Sequence, residues 1–138
     1  MSKGYVDAFK ALGATLRNSQ WSFSALAADG SVVISCWKNF FVPSSEHGMK
    51  DVLRYRDRLQ RVLNNSHGHA EIRRLLELAW AEKRPIGLII ARPGDAKAVV
   101  DGRPASDPGN SFAARPDLVG ELSHFDGDTF VIDFRKRS

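Results

Sequence analysis

Along this chain apolar positions recur at period two in some stretches and near 3.6 in others, and the switches between the two periods mark out the elements. Tyr5, Phe9 and Leu12 fall at helical spacing, so Lys3 to Leu12 is predicted as a short amphipathic helix that Gly13 stops. From Asn18 to Lys38 the period is two. Trp21, Phe23 and Ala25 then share one face and Ser22, Ser24 and Leu26 the other, while Val33, Ser35 and Trp37 oppose Val32, Ile34 and Cys36 on a return strand. Asp29-Gly30 between the two runs predicts a hairpin closed by a type I′ turn. Phe40-Phe41-Val42 prolongs the apolar signal, and Pro43 to Gly48 reads as loop.

Read at 100° per residue, Met49 to Asn64 is predicted as a second helix. It sets Lys50, Arg54, Arg58 and Arg61 on one stripe beside an apolar face of Val52, Tyr55, Leu59 and Val62. Asn64-Asn65-Ser66 interrupts it. A third helix from Ala70 gathers Ile72, Leu75, Leu76 and Ala79, with Trp80 at the margin of that face, and Pro85 ends it. Ile86 to Ala91 is a continuous apolar run of strand length, suited to a central strand buried on both faces. Pro93 to Asn110, rich in Gly, Pro, Asp and Ala, is expected to be a long exposed loop and a candidate lid, with Ala96 to Val100 its only segment able to hold a regular element. Leu118 to Phe125 and Thr129 to Arg135 form a terminal hairpin across Asp126-Gly127-Asp128. The order α, β, β, α, α, β, β, β gives the α+β class: about three helices and a mixed or mainly antiparallel sheet of about five strands, able to curl into a small open barrel.

With 138 residues the chain is expected to fold as one compact domain, residues 1–138, whose core needs no disulfide or structural metal. Cys36, the only cysteine, sits within a strand and is read as a buried, inert thiol. No long apolar run or signal peptide is seen, so the expectation is a cytoplasmic protein without membrane contact. Twenty Lys and Arg against 16 Asp and Glu give a formal charge of +4, which permits contact with nucleic acid without demanding it. Arg135-Lys136-Arg137 adds a basic end.

Candidate chemistry is sparse. His67, His69 and Glu71 form the only local group of histidines with a carboxylate. Neutral imidazoles and a carboxylate suit a first-row metal, but no further ligand stands nearby at recognised spacing and the group enters a helix N-terminus, where Ser66 or Asn65 can cap; no metal or cofactor is expected. His124, Asp126 and Asp128 bracket a hairpin turn, where acidic residues bond local backbone. Asp95, Asp101 and Asp107 lie in the long loop with no strand to fix them. There is no P-loop, dinucleotide fingerprint, zinc-finger spacing or nucleophile elbow.

Asn18-x-x-Trp21-Ser22-x-Ser24-Ala25, Asp29-Gly30, Trp37, Gly68-His69-Ala70-Glu71-Ile72 and Ile86 to Arg92 together resemble a group of small bacterial proteins encoded near phage and mobile-element genes. That resemblance spans most of the chain and brings no activity with it. In element order the chain also resembles PUA-like and EVE domains, which implies a small barrel that binds modified bases or RNA in an aromatic pocket. The expectation is therefore a nucleic-acid-binding domain rather than an enzyme. Trp37, the more accessible of the two hairpin tryptophans, stacks on a base, Ser22 and Ser24 read its edge, and Lys50, Arg54, Arg58 and Arg61 hold phosphate. Trp21, His67, His69 and Glu71 are secondary candidates. The alternatives are a phage or mobile-element protein that binds and inhibits a host protein, and a metal-dependent nuclease built on His67, His69 and Glu71.

Overall fold

The computed structural model describes residues 3–18, 22–63, 65–92 and 110–137. Among these residues three helices, α1 (Lys3–Ala11), α2 (Ser44–His47) and α3 (Ser66–Glu82), accompany seven strands: β1 (Ser24–Leu26), β2 (Val32–Trp37), β3 (Phe41–Val42), β4 (Leu53–Arg58), β5 (Ile86–Arg92), β6 (Ser111–Phe125) and β7 (Thr129–Lys136). They form one sheet in the order β1-β2-β5-β6-β7-β4-β3. Neighbours are antiparallel except β2 and β5, where Val32 to Trp37 run alongside Ile86 to Ala91. The class is α+β with a mainly antiparallel sheet, and the sheet does not close into a barrel: β1 and β3 are its two edges.

Two strands escape the sequence pattern, and both follow from one correction. Met49 to Asn64 is not a helix. Leu53 to Arg58 is β4, paired with β7 on one side and β3 on the other, and Leu59 to Val62 is a single 3-10 turn. Within the strand, Tyr55 and Asp57 are buried and Arg54, Arg56 and Arg58 point the other way. The same residues satisfy periods of two and 3.6 over so short a run, and pairing to two neighbours decides for the strand. The cationic helix stripe therefore does not exist.

The first hairpin is present, with Ala25 opposite Val33, but its turn is not type I′. Only Gly30 has positive φ, at 89°, and Asp29 Oδ1 instead accepts from the backbone N–H and hydroxyl of Ser31 at 2.9 and 2.6 Å. A Gly in left-handed conformation after a right-handed turn is the usual three-residue hairpin solution. In α3 the helix begins at Ser66, four residues earlier than its apolar pattern, because Asn65 Oδ1 caps it by accepting from Gly68 N–H at 3.1 Å. The expected strand over Ile86 to Ala91 lies in β5, buried from Ile86 to Ala91 and flanked by β2 and β6. β6 starts at Ser111, well before Leu118. Pro93 to Gly109, the expected loop and lid with its three aspartates, lies outside the described residues.

One sheet face packs on α3. Ile34, Leu88, Ile132 and Phe134 meet Ile72, Leu75 and Leu76 there, and Tyr55 and Leu59 close the side. Gly120 makes room on this face, since a Cβ on it would lie 2.6 Å from Cε1 of Phe134. On the opposite face α1 lays Tyr5, Ala8 and Phe9 over Val33 and Ile89. Among the described residues no helix is long and apolar enough to cross a membrane.

Candidate functional site

The residues expected to bind are mostly accounted for by structure. Trp37 is 6% exposed and packs with Ala91 against Phe40 and Phe112, so it is core and not a stacking platform. β2 runs between β1 and β5, and each of its side chains is covered whichever face it takes. Trp21 lies outside the described residues. Ser22 and Ser24 are buried; the Ser22 Oγ accepts from Asn18 N–H at 3.1 Å, and the buried Ser24 hydroxyl has no hydrogen-bond partner among the described residues.

Three of the four expected phosphate ligands are held by carboxylates. Arg54 grips Asp133 with two bonds, at 2.7 and 2.9 Å. Arg58 bonds Asp128 at 2.6 Å, and Arg61 clamps Asp57 at 2.8 and 2.6 Å while its guanidinium sits 4.9 Å from the centre of the Phe40 ring. Such pairing cancels the field that would draw a phosphate. It also acts on the partners: the Arg54 guanidinium holds the Asp133 carboxyl below the ordinary aspartate range. Lys50 is exposed in the turn before β4, apart from these pairs. The Asp57 carboxylate further accepts from the Tyr55 hydroxyl at 2.6 Å and from Arg58 N–H at 2.8 Å, so it is the hub that fastens β4 to the turn after it.

His67, His69 and Glu71 are not gathered as ligands. Among the described residues no group of three His, Cys, Asp or Glu is placed to hold a metal. His69 lies in the first turn of α3, its N–H bonded to the Asn65 carbonyl at 2.8 Å. His67 and Glu71, one helical turn apart, instead line a cavity of about 300 Å³ with Arg17, Ala70 and Arg74. Glu71 is 7% exposed, and its buried Oε1 has no hydrogen-bond partner among the described residues. Burial pushes its carboxyl up, against the Ser22 hydroxyl and the Arg17 and Arg74 guanidiniums. The neighbouring Tyr5 hydroxyl, which donates to the Ser22 carbonyl, is pushed up by its own burial and then by Glu71. Cys36 is fully buried, and burial likewise drives its thiol up, as expected of an inert one.

A second, larger cavity of about 660 Å³ was not signalled by any motif. It lies between the end of α3 and the sheet, lined by Trp80, Lys83, Arg84 and Pro85 on one side and by Gly120 to Leu122, Asp133 and Arg135 on the other. Its origin is a mismatch of strand lengths. β5 begins at Ile86, opposite Gly120, whereas β6 continues to Phe125, so residues 121–125 pair with β7 alone. Trp80 stands over this gap, 47% exposed, with its ring edge-to-face on Phe125 at 6.5 Å. Lys83 caps α3 in the left-handed region at φ 53°, a place usually taken by glycine, and its N–H bonds the Ala79 carbonyl. Arg84 is tied to Glu82 at 2.7 Å and donates to the Gly30 carbonyl at 3.0 Å. Among the described residues Lys83 and Arg135 make no ion pair, and they supply the positive charge of this wall, with Glu121 and Asp133 as its carboxylates. From sequence, Trp80 at the margin of its helix was the available signal; the gap it overlooks comes from strand lengths and was not.

No family model matches the chain, and no curated protein or solved structure matches it either.

Proposed function

We propose that this protein binds single-stranded nucleic acid in the groove between the end of α3 and the free edge of β6, with an unpaired base on Trp80 and phosphate at Lys83 and Arg135. The observation that carries the reading is the half-exposed Trp80 indole over a cavity of about 660 Å³ that has cations on its rim. A π-face accepts any base, and lysine and arginine beside it track the backbone. Formal charge of +4 favours the same partner. Relative to the expectation from sequence, the partner is kept while the binding residues change.

The test is fluorescence anisotropy with labelled single-stranded and duplex oligonucleotides. Trp80→Ala should weaken single-strand binding by about 1 to 3 kcal/mol and leave the urea midpoint near the wild-type value. Lys83→Ala with Arg135→Ala should flatten the dependence of affinity on salt, because each phosphate released from a cation recovers its counterion. Absence of binding at low salt, or a Trp80→Ala protein that binds as well as wild type, overturns the reading.

A protein partner is the second reading, favoured by the one-sided pairing of residues 121–125. An unpaired strand edge offers N–H and C=O groups to an added strand. In that case the partner, not an oligonucleotide, would protect the amides of Glu121 to Phe125 from hydrogen exchange.

A further inference from the structure

We infer that residues 111–115 of β6 form a docking edge for a second copy of this chain, joined antiparallel about a two-fold axis at Ala113 so that the two sheets become one. The Trp80 groove lies at the other end of β6 and takes no part in it, so the two readings stand or fall separately.

The edge exists because β6 outruns β7 as well as β5. β7 ends at Lys136, opposite Leu118, and the Arg137 N–H closes the pairing on the Asp117 carbonyl at 3.0 Å. Ser111 to Arg115 lie beyond that point. They pair with Arg92 to Leu88 of β5 in unbroken register, and among the described residues no strand pairs with their other side. Phe112 to Arg115 are accordingly only half-buried, whereas Leu88 to Ala91 opposite them are buried. Alternate residues of such a strand turn their N–H and C=O groups outward, where an added strand can take them.

The other edges of this sheet are blunted. β1 is three residues long and runs into a bridge between Ala27 and Ala14. β3 is two residues long and Pro43 follows it. Residues 121–125 carry a bulge between Leu122 and His124. Shortness, proline and bulges all keep an edge from pairing. Ser111 to Arg115 have none of these within them: five regular residues whose one charge, on Arg115, is taken up by Asp117 at 2.9 Å. Pro116 ends the edge without interrupting it.

The edge also complements itself. In antiparallel pairing centred on Ala113, Phe112 faces Ala114 of the second copy, Ala113 faces its own mate, and Ser111 faces Arg115. A ring then lies beside a methyl, and a hydroxyl meets a guanidinium. Phe112 is already seated for this, its ring 4.7 Å from that of Tyr5 and packed with Trp37 and Ala91. An axis at Ala114 would put Pro116, which has no N–H, opposite Phe112, and an axis at Arg115 would set two guanidiniums face to face. Two-fold pairing uses the same edge on both copies and closes on itself, so it stops at the dimer.

The test is sedimentation velocity of the full chain over a hundredfold range of concentration. A species of twice the monomer mass should grow with concentration. Ala113→Glu and Ala113→Lys each set like charges opposite one another at the axis and should each weaken the dimer by about tenfold or more. An equimolar mixture of the two should restore it, because Glu then faces Lys, and that recovery shows both variants to be folded. A wild-type chain that stays monomeric up to about 1 mM, single variants that dimerise like wild type, a mixture no better than its components, or a ladder of masses above the dimer overturns the proposal. Hydrogen exchange of the wild type decides the matter without a variant. The amides of residues 111–115 should exchange more slowly as concentration rises, whereas all five protected in the monomer would mean that the chain covers this edge itself, and the proposal falls. Trp80→Ala should leave the dimer unchanged; a dimer lost with that ring would put the interface at the groove and overturn the assignment to residues 111–115.

Discussion

Replacing Asp57 by Asn tests whether the arginines of β4 and its following turn are structural. Four donors converge on this carboxylate: the Tyr55 hydroxyl, the Arg58 N–H, and Nε and Nη2 of Arg61, all between 2.6 and 2.8 Å. An amide retains one oxygen and turns an N–H₂ group toward donors it cannot satisfy. Removing one partner of a buried ion pair costs about 3 to 5 kcal/mol. Here the Asp57 side chain is 6% exposed and that of Arg61 15%, and the freed guanidinium keeps the Phe40 ring, so the lower end applies. With a urea m value of about 2 kcal/mol/M, a loss of about 3 kcal/mol moves the midpoint by roughly 1.5 M. Asp128→Asn is the control. Its pair with Arg58 is 36% and 59% exposed, and such surface pairs contribute about 0 to 1 kcal/mol. Equal midpoint shifts in the two variants, or a shift under about 0.5 M for Asp57→Asn, would refute the network as the element that fixes β4 to its turn.

Four further outcomes are expected. Trp37→Ala should cost about 3 to 5 kcal/mol in urea unfolding and leave nucleic-acid affinity unchanged in the folded fraction, since the ring is core; an affinity loss at preserved stability would contradict its burial. Gly120→Ala should destabilise by roughly 1 to 3 kcal/mol, because its Cβ would fall 2.6 to 2.9 Å from Phe134 and Ile132 atoms, and an unchanged melting temperature would count against that packing. Lys83→Gly should raise stability by about 0.5 to 1 kcal/mol, relieving a left-handed residue, while weakening oligonucleotide binding; loss of stability would show that the lysine stem packs. The Asp133 carboxyl is held low by Arg54, so its contribution is present above the ordinary aspartate value of about 3.9 and is lost as pH falls through the lower folded value. Urea midpoints at neutral and acid pH should therefore converge more in Asp133→Asn than in wild type, and parallel curves would exclude the linkage.

Much of the architecture follows from local pattern. Tyr5 and Phe9 at helical spacing, the run from Ile86 to Ala91, the alternation of Phe130, Ile132 and Phe134, and Asp29-Gly30 between two apolar runs each state their element through a short-range period or a turn residue. So do the α+β class and the inert Cys36. The tertiary structure decided what a period cannot carry. Met49 to Asn64 suits a helix as a string, yet hydrogen bonds to β7, remote in sequence, and to the nearer β3 make its centre a strand. Those same bonds bring Arg54 to Asp133 across 79 residues and Arg58 to Asp128 across 70, and so neutralise charges that look free along the chain. Trp37 reads the same whether its strand lies at an edge or between neighbours, and only the strand order buried it. The groove under Trp80 exists because β6 outlasts β5, a difference between two strands that pair without being alike in length. Side-chain periodicity is set by local backbone geometry and is written in the sequence, whereas exposure and charge depend on which distant segments meet, and that is settled by packing.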